Sequence, residues 1–112
     1  MSNQDLFQVR QGDLFFEEIT SVPKGVKKLN TDVLAYGEVT GHAHRIISPA
    51  LEEMDNYIDE KGDIFLYSDT EDIVVDHDEH GALVVAPKGV RVHNYRQREY
   101  DPVLEMQRQV AD

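Results

Sequence analysis

Apolar and polar positions alternate along most of this chain in runs of four to eight residues, the period and length of half-buried strands. The segment "LFQVRQGDLFFEEI" (6–19) reads as one strand, or as two strands joined at Gln11-Gly12. "SVPKGVKKLN" (21–30) is a loop marked by Pro23 and Gly25, with a local basic spot from its lysines. "DVLAYGEVTGHAHRIISP" (32–49) predicts a hairpin whose two apolar runs flank Gly37 and Gly41 and whose second arm ends at Pro49. "ALEEMDNYI" (50–58) fits a short helix through Leu51, Met54 and Ile58, and fits a twisted strand equally well.

Beyond Gly62 the pattern is plainer. "DIFLYS", "DIVVDH", "ALVVAP" and "VRVHNYRQREY" are β-branched or aromatic runs separated by the turn-forming "DTE", "DEHG" and "KG". Evenly spaced short strands predict an all-β fold, a small β-barrel or sandwich, rather than a βαβ arrangement. The 112 residues suffice for one domain and one core, over about residues 5–100, with 101–112 as a C-terminal tail that has weak helical character after Pro102.

Composition narrows the chemistry. Cysteine is absent, which removes disulfides, thiolate metal sites and cysteine nucleophiles together. With no secretory pattern in "MSNQDLFQVR" and no run of eighteen apolar residues, the expected setting is cytoplasmic, without a membrane span. The net charge of −11 is concentrated: residues 51–82 hold twelve acidic side chains against Lys61 alone, which is −11 by itself. Such a field repels phosphate backbones and argues against general nucleic-acid binding. It suits a basic protein partner, while a plain solvated surface that keeps the protein soluble is the reading favoured on charge alone. An acidic mimic of nucleic acid is a third, weaker reading. Small barrels with open edges tend to pair, so a homo-oligomer is compatible with the sequence. No glycine-rich phosphate loop or nucleophile elbow is present.

The candidate chemistry lies in histidines. On a strand, positions i and i+2 share a face, so His42 and His44 of "GHAH" present two imidazoles to one point, suited to anchoring a divalent ion. Glu38, Thr40 and Ile46 share that face, and Val39, Gly41, Ala43, Arg45 and Ile47 the other; neither is cleanly apolar, so the pair can face inward or outward. Downstream, "DHDEHGA" (76–82) sets His77 and His80 around two acids at an expected hairpin tip, where either can complete a three-ligand site. Asp76, Asp78 and Glu79 are available as further ligands or as groups orienting the rings. A polar turn without metal is the plain alternative. Arg96 and Arg98 share one strand face and make a fork for a carboxylate or phosphate, or else pair with the acidic 51–82 segment, the reading favoured here.

"GEVTGHAH" followed by "GALVVAPKGVRVHN" resembles the two sequence motifs of the cupins, small double-stranded β-helix barrels. His42 and His44 match the histidine pair of the first motif, although no glutamate stands three to five residues after His44. In the second motif Gly81, Pro87 and Gly89 match, while His93 falls one position late. A one-residue slip on a strand reverses the face, so His93 is expected to point away from the cavity unless a bulge restores it. The resemblance, over residues 37–94, implies a barrel and a divalent metal ion such as Zn, Fe, Mn or Ni, without a particular reaction. With His93 displaced, the expected metal set is His42 and His44 joined by His77 or His80. "RQREYDP" (96–102) with the upstream GHxH also resembles small bacterial and phage proteins, a likeness that carries no function.

Overall fold

A computed structural model describes residues 6–36 and 43–96. Ten short strands follow in chain order: β1 (Gln8–Gln11), β2 (Leu14–Glu18), β3 (Lys27–Lys28), β4 (Val33–Tyr36), β5 (Ala43–Ser48), β6 (Asp55–Ile58), β7 (Ile64–Tyr67), β8 (Ile73–His77), β9 (Leu83–Ala86) and β10 (Val92–Arg96). Six form one antiparallel sheet in the order β1-β2-β10-β7-β6-β3, and four form a second in the order β4-β5-β8-β9. The all-β expectation holds, as a sandwich: among the described residues the two sheets share no strand pairing and do not close into the barrel implied by the cupin resemblance.

Alternation in the sequence becomes alternation of burial. In β2, Leu14 and Phe16 point inward and are buried, while Phe15 and Glu17 are half-buried on the outer side. Val92 and Asn94 of β10 face in, and His93 and Tyr95 face out. The core joins Leu14, Phe16, Ile64, Leu66 and Val92 of the six-stranded sheet to Ile46, Ile73, Val75, Val85 and Ala86 of the four-stranded one. Full burial of side chains of this size contributes about 2 kcal/mol each, which offsets the ordering entropy that such short strands incur.

Several local choices differ from the sequence reading by a residue or resolve its alternatives. The first segment is two strands, turning at Gly12-Asp13, where Gly12 has φ +60°. The 50–58 segment divides: Leu51–Glu53 is a single 3-10 turn and β6 follows it. Asn56 fixes the junction by donating its side-chain amide to the Leu51 and Met54 carbonyls. The expected tail helix and the turn between β4 and β5 lie outside the described residues. No helix among those described is long and apolar enough to cross a membrane.

Candidate functional site

Strand pairing answers which way the "GHAH" face points. In β5, His44 and Ile46 are buried while Arg45 and Ile47 are exposed, so the histidine side looks into the sandwich. His44 is only 2 % exposed and lies directly opposite His77 in the β5–β8 register. Directly opposed residues of an antiparallel pair share a face, so the two rings meet, with centroids 4.2 Å apart. The β8–β9 turn then brings back His80, whose ring stacks on His77 at 4.6 Å and lies 6.5 Å from His44. Gly81 makes the turn possible with φ +74°, and its amide donates to the His77 carbonyl. Three of the four histidines expected to form the site are therefore together. His42 lies outside the described residues. His93 is on the outer face of the other sheet, as the one-residue slip predicts, between Asp63 (Nε2 to Oδ2, 2.8 Å) and Glu17 (Nδ1 to Oε1, 3.6 Å).

Hydrogen bonding assigns a proton to each inner ring. Gln11, buried at the end of β1, donates its side-chain amide to the carbonyls of Val75 (3.0 Å) and Gly81 (2.6 Å). The reversed amide would set its oxygen against two carbonyls, so the orientation is fixed and Oε1 is left to accept. His44 Nδ1 stands 2.9 Å from that oxygen and must donate to it. In a neutral ring the lone pair then sits on Nε2. His77 is arranged the other way: its Nδ1 accepts from the amides of Glu79 (3.1 Å) and His80 (3.2 Å), which puts the proton of the neutral ring on Nε2. His77 thus braces the hairpin turn, and His44 is the ring with an open nitrogen.

That nitrogen faces Asp13. His44 Nε2 is 3.6 Å from Asp13 Oδ1, beyond hydrogen-bond length. Burial lowers the His44 pKa to about 4, helped by repulsion from His77, His80 and Arg96, with Asp13 alone pulling the other way. Asp13 is in turn held by Arg96, whose Nε donates to Oδ2 at 2.5 Å. Burial tends to raise the Asp13 pKa, but the hydrogen bond and charge of Arg96 outweigh it, and the carboxyl falls below its ordinary value. At neutral pH an imidazole lone pair and a carboxylate therefore confront one another, an acceptor against an acceptor. Asp13 itself lies outside the acidic 51–82 segment, and Arg98, the other arginine expected to pair with that segment, lies outside the described residues. Among the described residues, no three His, Asp or Glu side chains already converge as a metal-ligand group.

Gly12 completes the arrangement. A Cβ there would lie 3.0 Å from the His80 Cδ2 and Nε2 atoms and 3.3 Å from His44 Cε1. With the positive φ added, Gly12→Ala is expected to destabilise the fold by about 2 kcal/mol and to displace the His80 ring, read by denaturant melts and by histidine ring NMR shifts. An alanine variant with unchanged stability and shifts would show that the ring and the turn do not pack this closely in solution. Gln11 and Asp13 were not among the residues singled out from the sequence. The signal for Gln11 was a polar residue at an inward position of β1, in phase with Phe7 and Val9. Asp13 gave none, being one turn aspartate among many acids.

The fold and the cluster define a small antiparallel β-sandwich carrying a hydrogen-bonded histidine stack, with His44 and His77 buried and His80 exposed. The family model described as Domain of unknown function (DUF8820) matches residues 10–94. The chain belongs to that family, and the match spans Gln11, Asp13, His44, His77 and His80. No curated protein and no solved structure matches it.

Proposed function

We propose that the protein binds a divalent metal ion at its histidine cluster, with His44 Nε2 and the Asp13 carboxylate as the anchoring pair. The observation that carries this reading is the confrontation of two acceptors 3.6 Å apart. Two ligand atoms bound to one tetrahedral zinc at about 2.0–2.1 Å are separated by about 3.3 Å, so a cation between them needs a shift of only a few tenths of an ångström. The surroundings of His44 fit the same role. Its Nδ1–H is tied to a side-chain carbonyl, the outer hydrogen bond that orients a ligating imidazole. Its low pKa keeps Nε2 free of a competing proton through the neutral range.

His80, exposed on the turn beside Gly12, is the third ligand in this proposal, and His42, two residues before His44, the fourth. His77 is not a ligand in the arrangement described, because its Nδ1 already accepts from the backbone. Imidazole and carboxylate donors suit Zn, Fe, Mn or Ni; four such ligands complete a tetrahedral zinc, and on a six-coordinate Fe, Mn or Ni they would leave positions for water or substrate. Metal content by mass spectrometry, on untagged protein refilled with these ions, tests the reading. Near-stoichiometric metal that disappears in His42→Ala/His44→Ala supports it, and metal near zero in the wild type ends it.

A second reading rests on the acidic segment. Nine of its twelve carboxylates are exposed: Glu52, Glu53, Asp55, Glu60, Asp69, Glu71, Asp72, Asp78 and Glu79. They suit docking on a basic protein. That module would associate in a salt-sensitive way and would be indifferent to His44→Ala.

A further inference from the structure

Between β2 and β3 the chain must cross β10, β7 and β6, the strands that separate those two in the six-stranded sheet. Residues 19–26 make that crossing. Their start is tied to β10, where the Ile19 amide donates to the Arg91 carbonyl at 2.9 Å, and their end to β6, where Lys28 lies opposite Tyr57. With the inner face of the sheet packed in the core, the segment arches over the outer face and encloses a cleft of about 470 Å³. Ser21, Val22 and Pro23 line it from the arch, and Tyr57, Phe65 and Tyr67 from the sheet. Phe65 alternates with the core residues Ile64 and Leu66 and lies opposite Tyr57, so both rings are on the outer face, with Tyr67 two residues on. Arg91 and Asp55 are the charged side chains of the lining, one of each sign. The guanidinium of Arg91 lies over the Tyr67 ring, 4.5 Å from its centroid. Among the described residues no oxygen accepts a hydrogen bond from that guanidinium.

We propose that this cleft binds a neutral, planar heteroaromatic ring of the nucleobase kind, stacked beside Arg91 and the tyrosines, with its edge acceptors on the Arg91 N–H groups. One cation and one carboxylate leave the lining without net charge, which favours an uncharged ligand over either ion. The volume is that of a small-molecule site, and aromatic walls with a few polar groups are the usual lining of such sites. A guanidinium is flat and delocalised. Tyr67 covers one of its faces, the other face can take a second flat ring, and its donors lie in the plane, where ring nitrogens and carbonyls meet them. A sugar lacks the flat face, and a hydrocarbon ring lacks the edge acceptors. The cleft shares no residue with Gln11, Asp13, His44, His77 and His80, so this proposal and the metal reading can fail independently.

The test is an NMR titration of the full chain, with chelator, using 9-methyladenine, 1-methyluracil, benzyl alcohol and methyl glucoside as probes. At least one of the two bases should saturate, with amide shifts centred on Ser21, Val22 and Phe65, and should bind about tenfold more tightly than the alcohol or the glucoside. Arg91→Gln should weaken that binding by about tenfold and Arg91→Lys by about fivefold, because lysine keeps the charge but has neither the flat face nor the fork. Arg45→Gln, exposed on the other sheet, should leave it unchanged. The lysine variant retains the charge and an apolar stem over Tyr67, so it still reads out if Arg91→Gln disturbs the fold. Benzyl alcohol binding as tightly as the bases would overturn the proposal, since edge acceptors would then count for nothing. Preference for the glucoside, no saturation by either base, or unchanged affinity in both Arg91 variants would overturn it as well.

Discussion

Acidification through the range from 6.5 to about 4 is expected to remove about 3 kcal/mol of folding stability through His44 alone. The unfolded chain takes up a proton near 6.5, whereas the folded ring resists until about 4, because burial and the neighbouring rings oppose the charge. Folding therefore gains from a depressed histidine pKa above 6.5, and the gain disappears as the pH falls to the folded value. Asp13, whose pKa is lowered from 3.8, loses its own contribution at still lower pH, so the two effects are separable. Urea midpoints measured in steps of pH, with chelator present, should show wild type approaching a His44→Gln variant by about 3 kcal/mol across this window. A gap between the two curves that does not change with pH would mean that His44 is protonated as readily in the fold as outside it.

Gln11→Leu is expected to cost about 3 kcal/mol at neutral pH, a large part of the stability of a domain this size. The substitution keeps the volume but leaves the Val75 and Gly81 carbonyls and the His44 Nδ1–H without the partner that satisfies them. Those three bonds tie β1 of one sheet to β8, to the β8–β9 turn and to β5 of the other, so the loss is also a loosening of the sandwich at the histidine end. Nitrogen-15 shifts of the His44 ring provide a second readout: wild type should show the proton on Nδ1, and the variant should lose that preference. A cost below about 1 kcal/mol, with the tautomer unchanged, would show that Gln11 is not the clamp described.

The strands from Gly62 onward were legible because each alternates or runs apolar between strong turn signals, and β7, β8, β9 and β10 all appear where those runs lie. The 50–58 segment was ambiguous for a physical reason. Leu51, Met54 and Ile58 match helical spacing, yet Asn56 bonds back to two carbonyls and turns the chain into a strand after a single 3-10 turn. Whether "GHAH" faced inward depended on register, and neither face of β5 was apolar enough to decide it. The answer came from Ile46, buried in phase with His44. The meeting of His44 with His77 is a long-range pairing set by β5 and β8, which no local pattern reveals. Asp13 was the least visible, since its role depends on Arg96 from a strand eighty-three residues away. Barrel closure was the one feature the cupin resemblance implied that the sheets do not adopt.

Calorimetric titration of zinc into chelator-stripped, untagged protein at neutral pH tests the central proposal most directly, with Asp13→Asn and His44→Gln beside the wild type. One ion per chain is expected, bound by the wild type and at least about tenfold more weakly by each variant, since removing either anchor leaves one side of the ion unligated. Little dependence of the affinity on pH down to about 5 should accompany this if His44 is a dominant ligand, because its folded pKa of about 4 leaves little proton to displace. No saturable binding, or binding that both variants retain in full, would contradict it and leave the 3.6 Å gap between His44 and Asp13 to be bridged by water.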